Sequence, residues 1–115
     1  MNILFLCTSN KNRSKTAEDF YRAKFPHHNF KSAGLSQKYC LKYGTTLCSI
    51  EILGWADAVF VMQDIHRKRI AEYAGESYLK KIEVLHIEDI YSYMQSELLE
   101  KLQSHENLQF LLISD

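Results

Sequence analysis

The sequence predicts an α/β fold with a mainly parallel sheet and right-handed crossovers. Two observations carry that expectation. Short apolar runs at residues 2–6, 30–34, 57–62 and 82–87 have the length and composition of buried strands. The stretches between them hold helical periods or helix-capping and helix-breaking residues.

The first run stops at Cys7, and five small or polar residues, Thr8-Ser9-Asn10-Lys11-Asn12, lead to Arg13 and Ser14. From about residue 14 the period becomes helical. Ala17, Phe20, Tyr21 and Lys24 share a face, with Phe25 close by. Glu18 and Asp19 fall in the first turns, where carboxylates suit the positive end of the helix dipole. Pro26 and His27-His28-Asn29 end the helix. Residues 30–34 form the second strand and close on a glycine turn. Residues 35–46 contain Tyr39, Cys40, Leu41 and Tyr43 without a readable period. Ser49 is a candidate cap for a short helix that turns Ile52, Leu53 and Trp55 inward. The third strand is 57–62. Residues 64–74 form a helix closed by Gly75 as a left-handed cap. The fourth strand, 82–87, has Glu83 and His86 at its margins, and a last helix opens at 96–102. The tail 110–113 is apolar and must pack, as helix or as extended chain.

A length of 115 residues argues for one domain, 1–115. With 46% hydrophobic and 24% charged residues the chain is ordinary globular material, not a disordered one. Zero net charge disfavours a nucleic-acid partner. The cluster His66-Arg67-Lys68-Arg69 reads as a solvated helix face. No apolar run approaches the ~18–20 residues of a membrane span, and the opening residues lack the basic start of a secretory signal. Cys7, Cys40 and Cys48 are odd in number and lack metal-ligand spacing, so they are expected as thiols in a reducing cytoplasm. The five histidines are scattered, and neither a metal nor a cofactor is expected.

Ligands of open parallel sheets bind beyond the carboxyl ends of the strands. Cys7 lies past the first strand and Glu88-Asp89-Ile90-Tyr91 past the fourth, so both are expected on one sheet edge. A loop running into a helix N-terminus points successive N–H groups at one spot. Residues 8–12 contain no acid and suit a dianion. Arg13 adds a planar guanidinium that grips two phosphate oxygens at once. The same positive surroundings favour a thiolate at Cys7, to which Ser14 donates a hydrogen bond. Asp89 is the candidate acid for the leaving oxygen and then the base for water. Tyr91 is a candidate aromatic wall. Plainer readings stand beside these. Cys7 fits a small buried hydrophobe, Lys11 and Asn12 fit plain loop side chains, Asp89 fits a turn, Tyr91 and Tyr93 fit packing residues, and Cys40 and Cys48 fit structural positions.

Residues 7–14 resemble the signature loop of the low-molecular-weight protein tyrosine phosphatases, and the likeness extends over most of the chain. Ser32-Ala33-Gly34 is similar to that family's motif after its second strand, residues 57–62 resemble its third strand, and Asp89-Ile90-Tyr91 falls where it carries Asp-Pro-Tyr. The resemblance implies a three-layer, flavodoxin-like sheet of four parallel strands with flanking helices. It implies metal-free, two-step hydrolysis through a phosphocysteine. Cys7 is then the nucleophile, Arg13 the phosphate ligand and transition-state stabiliser, and Asp89 acid then base. Thr8, Ser9, Asn10, Lys11, Asn12 and Ser14 complete the phosphate-binding loop, with Asn10 and Ser14 holding its shape and the thiolate. Tyr91 and Tyr39 are wall candidates. The chain departs from the pattern at Ser9, where glycine is frequent, at Asn12, where a second cysteine stands, at Lys15 and at Ile90, where prolines are frequent. The expected function is a cysteine-dependent phosphomonoesterase acting on phosphotyrosine in proteins or on small aryl phosphates. An arsenate reductase, and a phosphate- or phosphoprotein-binding module without turnover, are the competing readings.

Overall fold

The computed structural model describes residues 1–114. Four parallel strands, β1 (Asn2–Cys7), β2 (Asn29–Gly34), β3 (Ala58–Val61) and β4 (Ile82–Val84), form one sheet in the order β2-β1-β3-β4. β1 is central: Cys7 pairs with Gly34 on one side, and Leu6 with Val61 on the other. Among the described residues six α-helices accompany them, α1 (Arg13–Lys24), α2 (Gln37–Tyr43), α3 (Ile50–Trp55), α4 (Asp64–Ala74), α5 (Ser96–Gln103) and α6 (Glu106–Ile113), with a 3-10 turn at Glu76–Lys81 between α4 and β4.

The alternation of strand side chains sorts the core into two layers. Ile3, Phe5 and Cys7 point to the face covered by α1, α5 and α6, where Ala17, Tyr21, Leu98, Leu102, Leu108 and Leu112 are buried. Phe5 stacks there between Tyr21, Phe30 and Phe60, with ring centres 5.9–6.2 Å apart. Leu4 and Leu6 point to the opposite face, against Leu53 of α3 and Ile70 of α4. Each such side chain contributes about 1.5–3 kcal/mol on full burial. The two layers therefore fix the direction of β1 and the spot where Cys7 ends it.

Several elements differ from the sequence expectation. Residues 35–46, unreadable as a period, contain α2. Ser36 Oγ caps it by accepting from the Tyr39 N–H, and Gly44 closes it at φ 64. Two turns with Cys40 as the sole buried side chain leave no amphipathic stripe to detect. The apolar tail is helical: Leu108 and Leu112 bury one stripe of α6, while Phe110 and Ile113 face solvent. β4 stops at Val84, three residues early, because His86 takes φ 58 and leaves strand geometry. The Leu85 and Ile87 amides still bond Val61 and Met62 carbonyls, so the segment keeps following β3. Gly75 does close α4 at φ 87, but with ψ 177 instead of a left-handed cap. α1 begins at Arg13 and has no acidic residue in its first turn. Glu18 lies deeper and is nearly buried, receiving Arg22 and Ser32. Ser49 caps α3 through its Oγ, as expected.

Candidate active site

Cys7 ends β1 and is 2% exposed. Its Sγ stands 3.0 Å from Ser14 Oγ, in the first turn of α1. Asn10 holds the loop between them. It adopts φ 58, a left-handed conformation that asparagine tolerates better than most residues. Its Nδ2 donates to Ser14 Oγ and to Ser32 Oγ, both at 2.8 Å, and its Oδ1 accepts from the Thr46 N–H at 3.3 Å. Ser32 in turn donates to Glu18 at 2.5 Å. The directions are consistent: both serine oxygens accept from Asn10, so the Ser14 hydroxyl proton is free for Cys7 Sγ or, at 3.4 Å, for the Ala33 carbonyl. Asn12 offers no side-chain cap to α1, which leaves the helix's positive end open at the loop.

Arg13 is 1% exposed, an unusual place for a guanidinium. Its Nη1 donates to Gln63 Oε1 at 2.7 Å and to the Ile87 carbonyl at 2.8 Å. Nε and Nη2 make no hydrogen bond among the described residues, and no buried side-chain nitrogen is left unsatisfied there. Asp89 Oδ1 lies 3.6 Å from Nε. Asp89 is 63% exposed and stands in the segment after β4.

The structure thus brings Cys7, Arg13, Ser14 and Asp89 to one sheet edge. Thr8, Ser9, Asn10, Lys11 and Asn12 form the loop around them. Tyr91 is half-buried against the α1 layer. Tyr39 lies exposed on α2, but the α2 ring that meets the loop is Tyr43, with Lys11 Nζ 4.3 Å from its centre. The tetrapeptide 66–69 is not a uniformly solvated face, since His66 is 3% exposed. Its Nδ1 accepts from the Gln63 N–H at 3.1 Å, so Nε2 carries the proton and donates to Thr8 Oγ1 at 2.9 Å. Burial first, and the Arg13 charge second, push the His66 pKa down to about 4, against a smaller raising effect of Asp89. The start of α4 therefore holds the site twice, through His66 on Thr8 of the loop and the N-cap Gln63 on Arg13 of α1. Cys40 also backs the loop, its Sγ lying 3.7 Å from the Ser9 carbonyl. All three cysteines are free thiols and buried. Gln63, His66, Tyr43, Cys40 and Glu18 have no fixed spacing from Cys7, and no sequence signal singled out their places at the site. Ser32 was visible within the Ser-Ala-Gly motif.

Fold and site together define a class: a three-layer α/β protein whose central strand ends in a cysteine and whose following loop runs into a helix that starts with a buried arginine. No protein-family model matches the chain, and no curated protein matches it in sequence. Solved structures do match. The low-molecular-weight protein tyrosine phosphatase from T. tengcongensis is 26% identical, with a TM-score of 0.63 over 97% of this chain and 95% of that one. Wzb from Vibrio vulnificus, in complex with benzylphosphonate, superposes with a TM-score of 0.74 at 19% identity, covering 96% of each chain. The arginine phosphatase YwlE, in a mutant with a phosphorylated active-site serine, is 22% identical with a TM-score of 0.64, over 97% of this chain and 91% of that one. The chain thus has the fold of the low-molecular-weight protein tyrosine phosphatases and is similar to them over nearly its whole length. Among the described residues, no helix is long and apolar enough to cross a membrane, and no three His, Cys, Asp or Glu side chains group to hold a metal ion.

Proposed function

We propose that this protein is a cysteine-dependent phosphatase of phosphomonoesters, with phosphotyrosine or an aryl phosphate as substrate. The carrying observation is the pairing of Cys7 Sγ with Ser14 Oγ at 3.0 Å beside a buried Arg13 that hydrogen-bonds through Nη1 alone and faces Asp89 with its Nε at 3.6 Å. A phosphoryl group seated on the loop amides meets Nε and Nη2 of Arg13 in bidentate fashion. Cys7 Sγ attacks phosphorus in line as the S–P bond forms and the P–O bond to the leaving group breaks. Asp89 gives its proton to the leaving oxygen. The resulting carboxylate then takes a proton from water, which attacks the phosphocysteine and releases phosphate and thiolate. The hydroxyl of Ser14 stabilises that thiolate as it leaves. Arg13 spreads the developing charge through both steps.

Three details support the acid role of Asp89 despite Ile90 behind it. Asp89 is exposed, so a leaving group reaches it; it lies 3.6 Å from Arg13, which orients it; and it shares the sheet edge of Cys7. Two structural neighbours, one carrying a phosphorylated active-site serine and one in complex with benzylphosphonate, support a reading of phosphoryl chemistry. Three free thiols suit a reducing cytoplasm, and the reaction requires no cofactor.

Hydrolysis of p-nitrophenyl phosphate by wild type, Cys7→Ser and Asp89→Asn tests the mechanism. Cys7→Ser is expected to lose all turnover while still binding phosphate or vanadate. Asp89→Asn is expected to slow hydrolysis by roughly 10²–10⁴-fold. Full activity in Cys7→Ser excludes the phosphocysteine route, and full activity in Asp89→Asn moves the acid elsewhere. An inactive wild type that binds vanadate marks a binding module.

A further inference from the structure

On the phosphatase reading above, the surroundings of the loop also restrict which phosphoesters fit. Lys11 is exposed on the loop, and its Nζ stands 4.3 Å from the centre of the Tyr43 ring, well within cation–π range. Lys42 Nζ lies 5.4 Å from the same ring, and Lys38 Nζ lies 5.7 Å from the ring of Tyr39. α2 is fixed to the loop. The Ser36 N–H donates to the Thr8 carbonyl at 2.9 Å, Thr45 Oγ1 to the Ser9 carbonyl at 2.5 Å, and the Thr46 N–H to Asn10 Oδ1 at 3.3 Å. Lys11 of the loop and Lys42 of α2 thus share the Tyr43 ring, and Lys38 lies over Tyr39 on the same short helix.

No acid offsets them locally. Residues 36–47 and 8–14 contain neither Asp nor Glu. The carboxylates of the mouth, Glu88 and Asp89, follow β4, whereas α2 follows β2, at the other end of the sheet order. Asp89 is moreover paired with Arg13. The mouth is therefore cationic on one side and anionic on the other, in a protein whose net charge is zero. A substrate seated on the loop places whatever flanks its phosphate against one of those sides.

We infer that this α2 rim selects phosphorylated peptides with acidic side chains beside the phosphorylated residue, and rejects basic flanks. Lys11 is the principal specificity residue, since it belongs to the phosphate loop itself, and the Tyr43 ring holds its ammonium group in place. A lysine at ~8 Å from a carboxylate in water contributes a factor of roughly two to three. Three at that distance together give roughly an 8–27-fold preference at low salt, weakening as salt rises.

The test uses three phosphotyrosine peptides that differ only in flanks of Glu, Gln or Lys. Wild type is expected to show kcat/KM in the order Glu, Gln, Lys. The triple variant Lys11→Gln, Lys38→Gln, Lys42→Gln is expected to bring the three within about twofold, while Lys11→Arg keeps the order. Equal or reversed rates in wild type, or an unchanged order in the triple variant, overturn the proposal. Absence of turnover on every peptide and on p-nitrophenyl phosphate defeats the phosphatase reading instead. The rim is then judged by the affinities of Cys7→Ser protein for the same peptides: the Glu order supports it, and equal affinities overturn it.

Discussion

Asn10 carries more of the loop than its size suggests. It occupies a positive φ, supplies two donors to buried serine oxygens and accepts a backbone N–H from the α2–α3 connection. Asn10→Ala removes the hydrogen bonds and places a non-glycine side chain at φ 58, a strain of about 1–2 kcal/mol. Asn10→Gly removes the hydrogen bonds alone. Both variants are expected to lower turnover of an aryl phosphate by at least tenfold, because Ser14 loses the partner that aims its proton. In urea titrations the alanine variant is expected to be the less stable of the two by about 1 kcal/mol. Wild-type turnover in Asn10→Gly shows that the side chain does not shape the loop. Cys7, Arg13 and Ser14 were legible because the loop packs nucleophile, cation and hydroxyl into eight consecutive positions. Glu18, His66 and Gln63 were not. Their partners lie 14 to 58 residues away, and a residue type without a fixed spacing carries no signal for such a contact.

Elements position the loop through close backbone approach, and Gly34 is where this is tightest. It pairs with Cys7 at the end of β2. A Cβ there meets Cys40 Sγ at 2.5 Å, the Thr8 carbonyl oxygen at 2.7 Å and the Ser9 carbonyl carbon at 2.9 Å. The sulfur has some room to move, but the two backbone atoms belong to the loop. Gly34→Ala is therefore expected to cost about 1–3 kcal/mol and to weaken vanadate binding, read by tryptophan-independent calorimetry. Adding Cys40→Ala relieves the sulfur contact only, so recovery is expected to be partial; full recovery shows that the backbone contacts are harmless. This explains physically why Ser32-Ala33-Gly34 stood out as a unit in the sequence. The strands were legible as short apolar runs, α1 from its helical period, and α3 and α4 from their punctuation, the Ser49 cap and the closing Gly75. α2 was not, with one buried side chain, and β4 was overestimated because nothing in Leu85-His86-Ile87 announces the positive φ of His86.

At the scale of the molecule, the site is a seam between sheet layers, and His66 couples it to global stability. α1 lies on one face of the sheet and α4 on the other, yet both reach the loop at the strand ends. His66 is the buried clasp on the α4 side, donating to Thr8 beside the Arg13–Gln63 bond. The charged groups that act on it are Arg13 and Arg69, which disfavour its protonation, and Asp89, which favours it. Folded His66 titrates near pH 4, whereas an unfolded histidine titrates near 6.5. Between those values the unfolded chain binds the extra proton, so stability rises with pH across that window. The contribution is complete above pH 6.5, is lost as pH falls towards 4, and amounts to roughly 3 kcal/mol in all. His66→Gln retains a donor for Thr8 but cannot titrate. Urea unfolding of the two proteins from pH 7.5 to 4 is expected to show the wild type losing stability faster, by up to that amount. The other titrating groups are common to both, so they cancel in the difference. Parallel curves exclude His66 as a neutral buried clasp and require another group to hold Thr8.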